Sequence, residues 1–166
     1  MALLLGFTPI NVITRSIYQV LYQHTTNRVN QQLPISNFFK HFTIAVLIIG
    51  IPFFSLLYYV LPDLTTFLLG DGWETTSTYL RWMLPWLLCS MLTSSTGFLA
   101  DIFFKQKIGF GFEILTTILR FVGVCVGIWL NNFTISIIGY TIGTAIAVTA
   151  QYIWLFYLAI KYDSGL

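Results

Sequence analysis

The chain has 166 residues, 57% of them hydrophobic and 8% charged, with a net charge of +2. An ordinary soluble domain carries about 25% charged residues, and here the apolar residues form long blocks bounded by charges or turn residues. A soluble globular domain is thereby excluded, and the chain reads as an all-α integral membrane protein whose first partner is the lipid bilayer. Nothing calls for a metal, a cofactor or nucleic acid: Cys89 and Cys125 lie inside apolar blocks without metal or disulfide spacing, and His24 and His41 are isolated.

Residues 1–32 come first. "MALLLGF" lacks a basic n-region, and no A-x-A-like site follows, so it does not read as a signal peptide. In "NVITRSIYQVLYQHTTNR", residues 11–28, the polar Asn11, Arg15, Tyr18, Tyr22, Thr25 and Thr26 recur at helical spacing, with Ile13, Ile17 and Val20 on the other side. This helix has one wet face. It either lies flat on the membrane surface or crosses the bilayer with that face lining a water-filled pathway. The uniformly apolar start favours crossing, and Arg15 with two tyrosines suits a cavity that handles polar cargo.

Residues 33–166 form four further spans, near 42–61, 82–104, 108–130 and 133–160. Each is long enough for a hydrocarbon layer of roughly 30 Å at about 1.5 Å per residue. Gly70-Asp71-Gly72 breaks the chain between the first two, in a loop read as 62–81, and Thr75 or Thr76 is placed to cap the next helix. Pro52 and Pro85 fall inside helices and are expected to bend them. Arg120 lies mid-way along the third span, where a charge costs about 2.5–3.5 kcal/mol. Thirteen Leu, Ile, Val and Phe residues between Ile108 and Leu130 return about 4–8 kcal/mol together, so the span inserts and Arg120 faces protein or water. Glu113 is seven residues earlier on the same face, too far to pair directly with Arg120. Asp101 and Lys105, four apart, read as an ion pair on one helix face. Asn132-Phe133-Thr134 matches a glycosylation sequon but abuts apolar blocks, and reads as a chance match.

Basic residues mark alternate turns: Arg15, Arg28 and Lys40 before the first of these spans, Lys105 and Lys107 between the second and third, and Lys161 at the end. The positive-inside rule puts residues 30–41, 105–107 and the C-terminus in the cytoplasm. Trp73, Trp82, Trp86 and Trp129 then fall at the outer boundary, where an aromatic belt belongs. Gly123-x-x-x-Gly127 and Gly139-x-x-x-Gly143 give the last two spans ridges of small residues that predict close packing. No nucleophile elbow, H-E-x-x-H or phosphate loop is present, so the chain does not read as an enzyme.

The order of features resembles the polysaccharide and O-antigen flippases of bacteria, in the multidrug/oligosaccharidyl-lipid/polysaccharide exporter superfamily. "SIYQVLYQHTTNRVNQ" resembles the family's "s-x-x-Q-V-x-Y-Q-R-A-x-E-x-x-N" stretch, which ends a cavity-lining helix. "LLGDGWETTSTYLRWMLPWLL" resembles "fG-x-x-W-x-x-A-x-x-y-x-x-x-l-x-P-w". The likeness runs in order through Gln19, Tyr22 and Gln23, then Pro52, Gly70 and Trp73, then Pro85 and Trp86. His24 departs from it, standing where the family often has a fixed positive charge. The resemblance implies a transporter of about twelve helices in two lobes, with this chain the end of the second lobe: a fragment, or a piece completed by a missing N-terminal lobe or a second chain. Its cargo would be a polyprenyl-diphosphate-linked oligosaccharide, crossing the bacterial cytoplasmic membrane for surface polysaccharide such as lipopolysaccharide. The substrate-pathway residues would be Asn11, Arg15, Tyr18, Tyr22, Glu113 and Arg120. A multidrug exporter of the same superfamily, or a membrane-embedded polymerase or transferase on lipid-linked sugars, is the alternative.

Overall fold

The computed structural model describes the backbone of residues 2–70 and 72–165, and the side chains of residues 14–70, 72–73 and 75–165. It is 88% helical, with no strand among the described residues. Among the described residues six helices follow one another: α1 (Ala2–Asn30), α2 (Ser36–Leu69), α3 (Glu74–Thr96), the single turn α4 (Leu99–Ile102), α5 (Gln106–Trp129) and α6 (Phe133–Asp163). Four stretches, α2, α3 with α4, α5 and α6, are long and apolar enough to cross a membrane. The protein is an all-α, multi-pass membrane protein.

The centre of the bundle is α3. In its most apolar window 67% of residues are buried, against 22%, 11% and 28% for α2, α5 and α6, and it packs on α1, α2 and α6. That explains its Ser/Thr content: a helix surrounded by helices presents small and hydroxylated side chains to its neighbours. The outer helices instead expose Ile48 and Phe67 on α2 and Phe121 and Trp129 on α5, a surface suited to lipid rather than water.

Two apolar clusters close the ends. Leu21, Ile35, Phe39, Phe98, Leu99, Leu155 and Ala159 join the end of α1, the start of α2, α4 and the end of α6. Phe54, Leu61, Leu80, Leu84, Trp86 and Leu87 fill the other end, between α2 and α3. The segments bearing Arg28 and Lys40, Lys105 and Lys107, and Lys161 therefore meet at one end of the bundle. There Asp163, the last residue of α6, accepts the Ile35 and Ser36 N–H groups at 2.8 Å each. It supplies the start of α2 with the cap that its own N-cap residue, Ile35, does not.

Helix boundaries differ from expectation in three places. Pro62 does not end the second helix; α2 continues to Leu69, leaving residues 70–73 as the connection. A proline deprives the carbonyl four residues back of its donor, here that of Tyr58. Arg81 of α3 replaces it, donating Nε–H to that oxygen at 2.8 Å with its guanidinium 4.9 Å from the Tyr58 ring centre. Second, α3 starts at Glu74, with Trp73 at its N-cap and no side-chain cap bond. Gly70 and Gly72, at φ 81° and 97°, turn the chain early, so Thr75 and Thr76 lie in the first turn instead of capping it. Third, the span expected at 82–104 is one stretch, Thr75–Ile102, whose helix only loosens at Gly97 and Phe98. The chain turns at Phe104, whose φ is 54°, so Asp101 and Lys105 do not share a helix face and make no ion pair.

Candidate functional site

Three helices each bring a polar stripe to one cleft. On α3 and its C-cap it is Trp86, Ser90, Thr93 and Gly97; on α5, Glu113, Thr116 and Arg120; on α6, Tyr140, Thr144 and Gln151. The spacings are three, four or seven residues, one face of a helix. The cleft has a volume of about 340 Å³.

Arg120 is its charged centre. Its Nε–H donates to the Thr144 hydroxyl at 3.0 Å. Its guanidinium carbon lies 5.4 Å from the Tyr140 ring centre and 6.0 Å from that of Trp86, distances at which aromatic faces attract a cation. No carboxylate pairs with it among the described residues. Glu113, two turns along α5, instead accepts from the Gln151 amide at 3.4 Å.

Four buried hydroxyls around the cleft are committed to backbone carbonyls. Ser90 donates to Leu87, Thr93 to Val148, Thr116 to Phe112 and Thr144 to Tyr140, at 2.7–3.0 Å. Among these groups the Arg120 terminal amino groups keep unused N–H donors. Such a site is built to receive an acceptor, best an anionic oxygen, because a guanidinium meets carboxylate or phosphate with two parallel bonds.

The residues of α1 are divided. Arg15 is exposed, as are Gln19 and Gln23. Tyr18 is half-buried and Tyr22 is exposed; their rings are stacked 6.2 Å apart, and both meet Phe98 edge-on at 5.4 and 5.6 Å. Thr25 is fully buried, while Val20 is 68% exposed. The wet face read from spacing is thus rotated: Tyr18 and Thr25 turn toward the bundle, and Arg15, Gln19 and Gln23 turn away from it. The Asn11 side chain lies outside the described residues. The structure brings Glu113 and Arg120 to one cleft and keeps Tyr18 and Tyr22 apart from it, against Phe98.

No family model, curated protein or solved structure matches the chain.

The sequence reading missed Trp86, Tyr140, Thr144 and Gln151. The last three were detectable as a stripe four and seven residues apart in an otherwise apolar span. Trp86 was assigned to the membrane boundary, yet it is 3% exposed. Trp73, Trp82 and Trp129 do lie at the surface.

Proposed function

We propose that this chain is part of a membrane transporter that flips polyprenyl-diphosphate-linked oligosaccharide across the bacterial cytoplasmic membrane for surface polysaccharide synthesis. The basic end of the bundle, with the C-terminus, faces the cytoplasm. The observation that carries this reading is Arg120. A guanidinium among membrane-spanning helices, with no carboxylate partner among the described residues and free donors in a polar cleft, is a functional group by default, and a diphosphate is the anion that suits it. The exposed Arg15, Gln19 and Gln23 on α1 support a hydrated route beside the bundle, and the aromatic rings of Tyr18 and Tyr22 suit sugar stacking. The missing first lobe, or a second chain, would enclose the other side. The arginine also favours an anionic cargo over the cationic compounds typical of multidrug exporters. The transferase alternative calls for a sizeable hydrophilic loop, and only residues 70–73 separate α2 from α3.

The test is flipping of lipid-linked oligosaccharide in vesicles reconstituted with the complete transporter. Arg120→Ala removes a charge-assisted contact of about 1.5–3 kcal/mol, so the rate falls about tenfold or more, whereas Arg81→Ala leaves it within about twofold. An unchanged rate in both Arg120→Ala and Arg15→Ala defeats the proposal.

A further inference from the structure

At the basic end, α2 and α6 enclose a second groove, of about 480 Å³, that shares no residue with the Arg120 cleft. From α2 it takes Ser36, Lys40 and Ile44, and from α6 Tyr152, Phe156 and Ile160, each set at one residue per turn. The two helices run antiparallel here, since Asp163 meets Ser36 and Tyr152 meets Thr43. Ser36, Asn37 and Lys40 therefore line the mouth, and Ile44, Phe156 and Ile160 form apolar walls.

The polar groups of the groove are not equally free. The Thr43 hydroxyl donates to the Phe39 carbonyl, so Tyr152 donates to Thr43. The Asp163 carboxylate is engaged by two backbone N–H groups at the start of α2. Lys40 is exposed and has no ion-pair partner among the described residues, and the Asn37 side chain beside it is exposed as well. An uncompensated cation thus stands one helical turn from an apolar wall open to the surroundings, with Ile44 45% and Ile160 47% exposed.

We propose that this groove holds one anionic phospholipid, its phosphate on Lys40 and Asn37 and an acyl chain against Ile44, Phe156 and Ile160. Charge complementarity and the succession of cation and apolar wall single out a lipid: a free phosphate gains nothing from the walls, and a zwitterionic lipid brings a choline cation against Lys40. Basic pockets between membrane helices recognise anionic headgroups in this way. The site requires only that the chain is a membrane protein and is independent of the cargo.

Native mass spectrometry of the purified chain, titrated with phosphatidylglycerol or phosphatidylcholine of equal chain length, tests it. Phosphatidylglycerol is retained one per chain in preference to phosphatidylcholine, and millimolar inorganic phosphate does not displace it. Lys40→Ala weakens retention about fivefold, the effect of one lysine near a membrane surface, Lys40→Arg preserves it, and Ile44→Glu lowers it. Arg120→Ala leaves it unchanged, which separates this site from the transport reading. Equal retention of the two lipids, displacement by phosphate, or full retention in Lys40→Ala overturns the proposal.

Discussion

Gln32, Phe104 and Asn131 hold left-handed backbone without being glycine, at φ 55°, 54° and 49°. Each follows a helix by two residues and closes it with the same two bonds. After α4, Phe104 N–H donates to Asp101 and Lys105 N–H to Ala100; after α1 the donors are Gln32 and Leu33, and after α5 Asn131 and Asn132. This six-to-one and five-to-two pairing satisfies carbonyls left over at a helix end and reverses the chain within a few residues. Glycine usually holds that position, because a Cβ there costs roughly 1–2 kcal/mol. Phe104 is 86% exposed and contributes little packing in return. Phe104→Gly is therefore expected to stabilise the fold by about 0.5–1 kcal/mol net of glycine's extra chain entropy. Unfolding in mixed detergent micelles measures it, and a loss of stability would show that the phenyl ring has a partner. Asn131 was legible in the sequence, since asparagine tolerates this backbone, and Asn132 explains its sequon otherwise: its side chain accepts from Thr134 and Ile135 N–H at 3.0 and 3.3 Å, capping α6. Gln32 and Phe104 carry no such signal.

Between elements, the closest fit is α5 on α6. A Cβ on Gly139 would lie 2.6 Å from the Gly123 carbonyl oxygen, and one on Gly143 would lie 2.8 Å from that of Leu119; additions at Gly123 and Gly127 run into the backbone of α6. Backbone cannot retreat as a side-chain tip does, so the helices would have to separate. Gly139→Ala is expected to destabilise by about 1–3 kcal/mol. Gly111→Ala on the same α5, with nothing within 4 Å of the added carbon, is expected to be neutral or to gain up to about 1 kcal/mol from helix propensity. Equal effects of the two in the same micelle assay would mean that the ridges do not hold the pair together. The ridges were legible because small residues four apart leave one face of a helix without side chains. The length of α2 was not legible. Pro62 argues for an end, and what overrides it, an arginine from the next helix on an orphaned carbonyl, is a contact between residues 23 apart.

Across the whole molecule, the order of the spans and the gathering of basic residues at one end follow from block lengths and charge alternation, and both are visible in the sequence. The rotation of α1 is not, because spacing fixes which residues share a face but not where that face points. Tyr18 and Thr25 read as wet and turn toward protein, since α3 offers a row of small side chains there and the link to α4 offers Phe98. What remains outward on α1 is mostly polar, with Arg15, Gln19 and Gln23 next to the exposed Val20 and Tyr22, whereas the outward faces of α2 and α5 are isoleucine and phenylalanine. Both kinds of surface are equally uncovered within this chain, so their surroundings in the membrane must differ if the transport reading holds: water for the first, hydrocarbon for the second. Labelling by a membrane-impermeant thiol reagent in intact membranes separates them, after Cys89 and the exposed Cys125 are replaced by alanine. The account predicts that Gln19→Cys reacts and that Ile48→Cys, at a site 67% exposed, does not; equal protection of the two would contradict it.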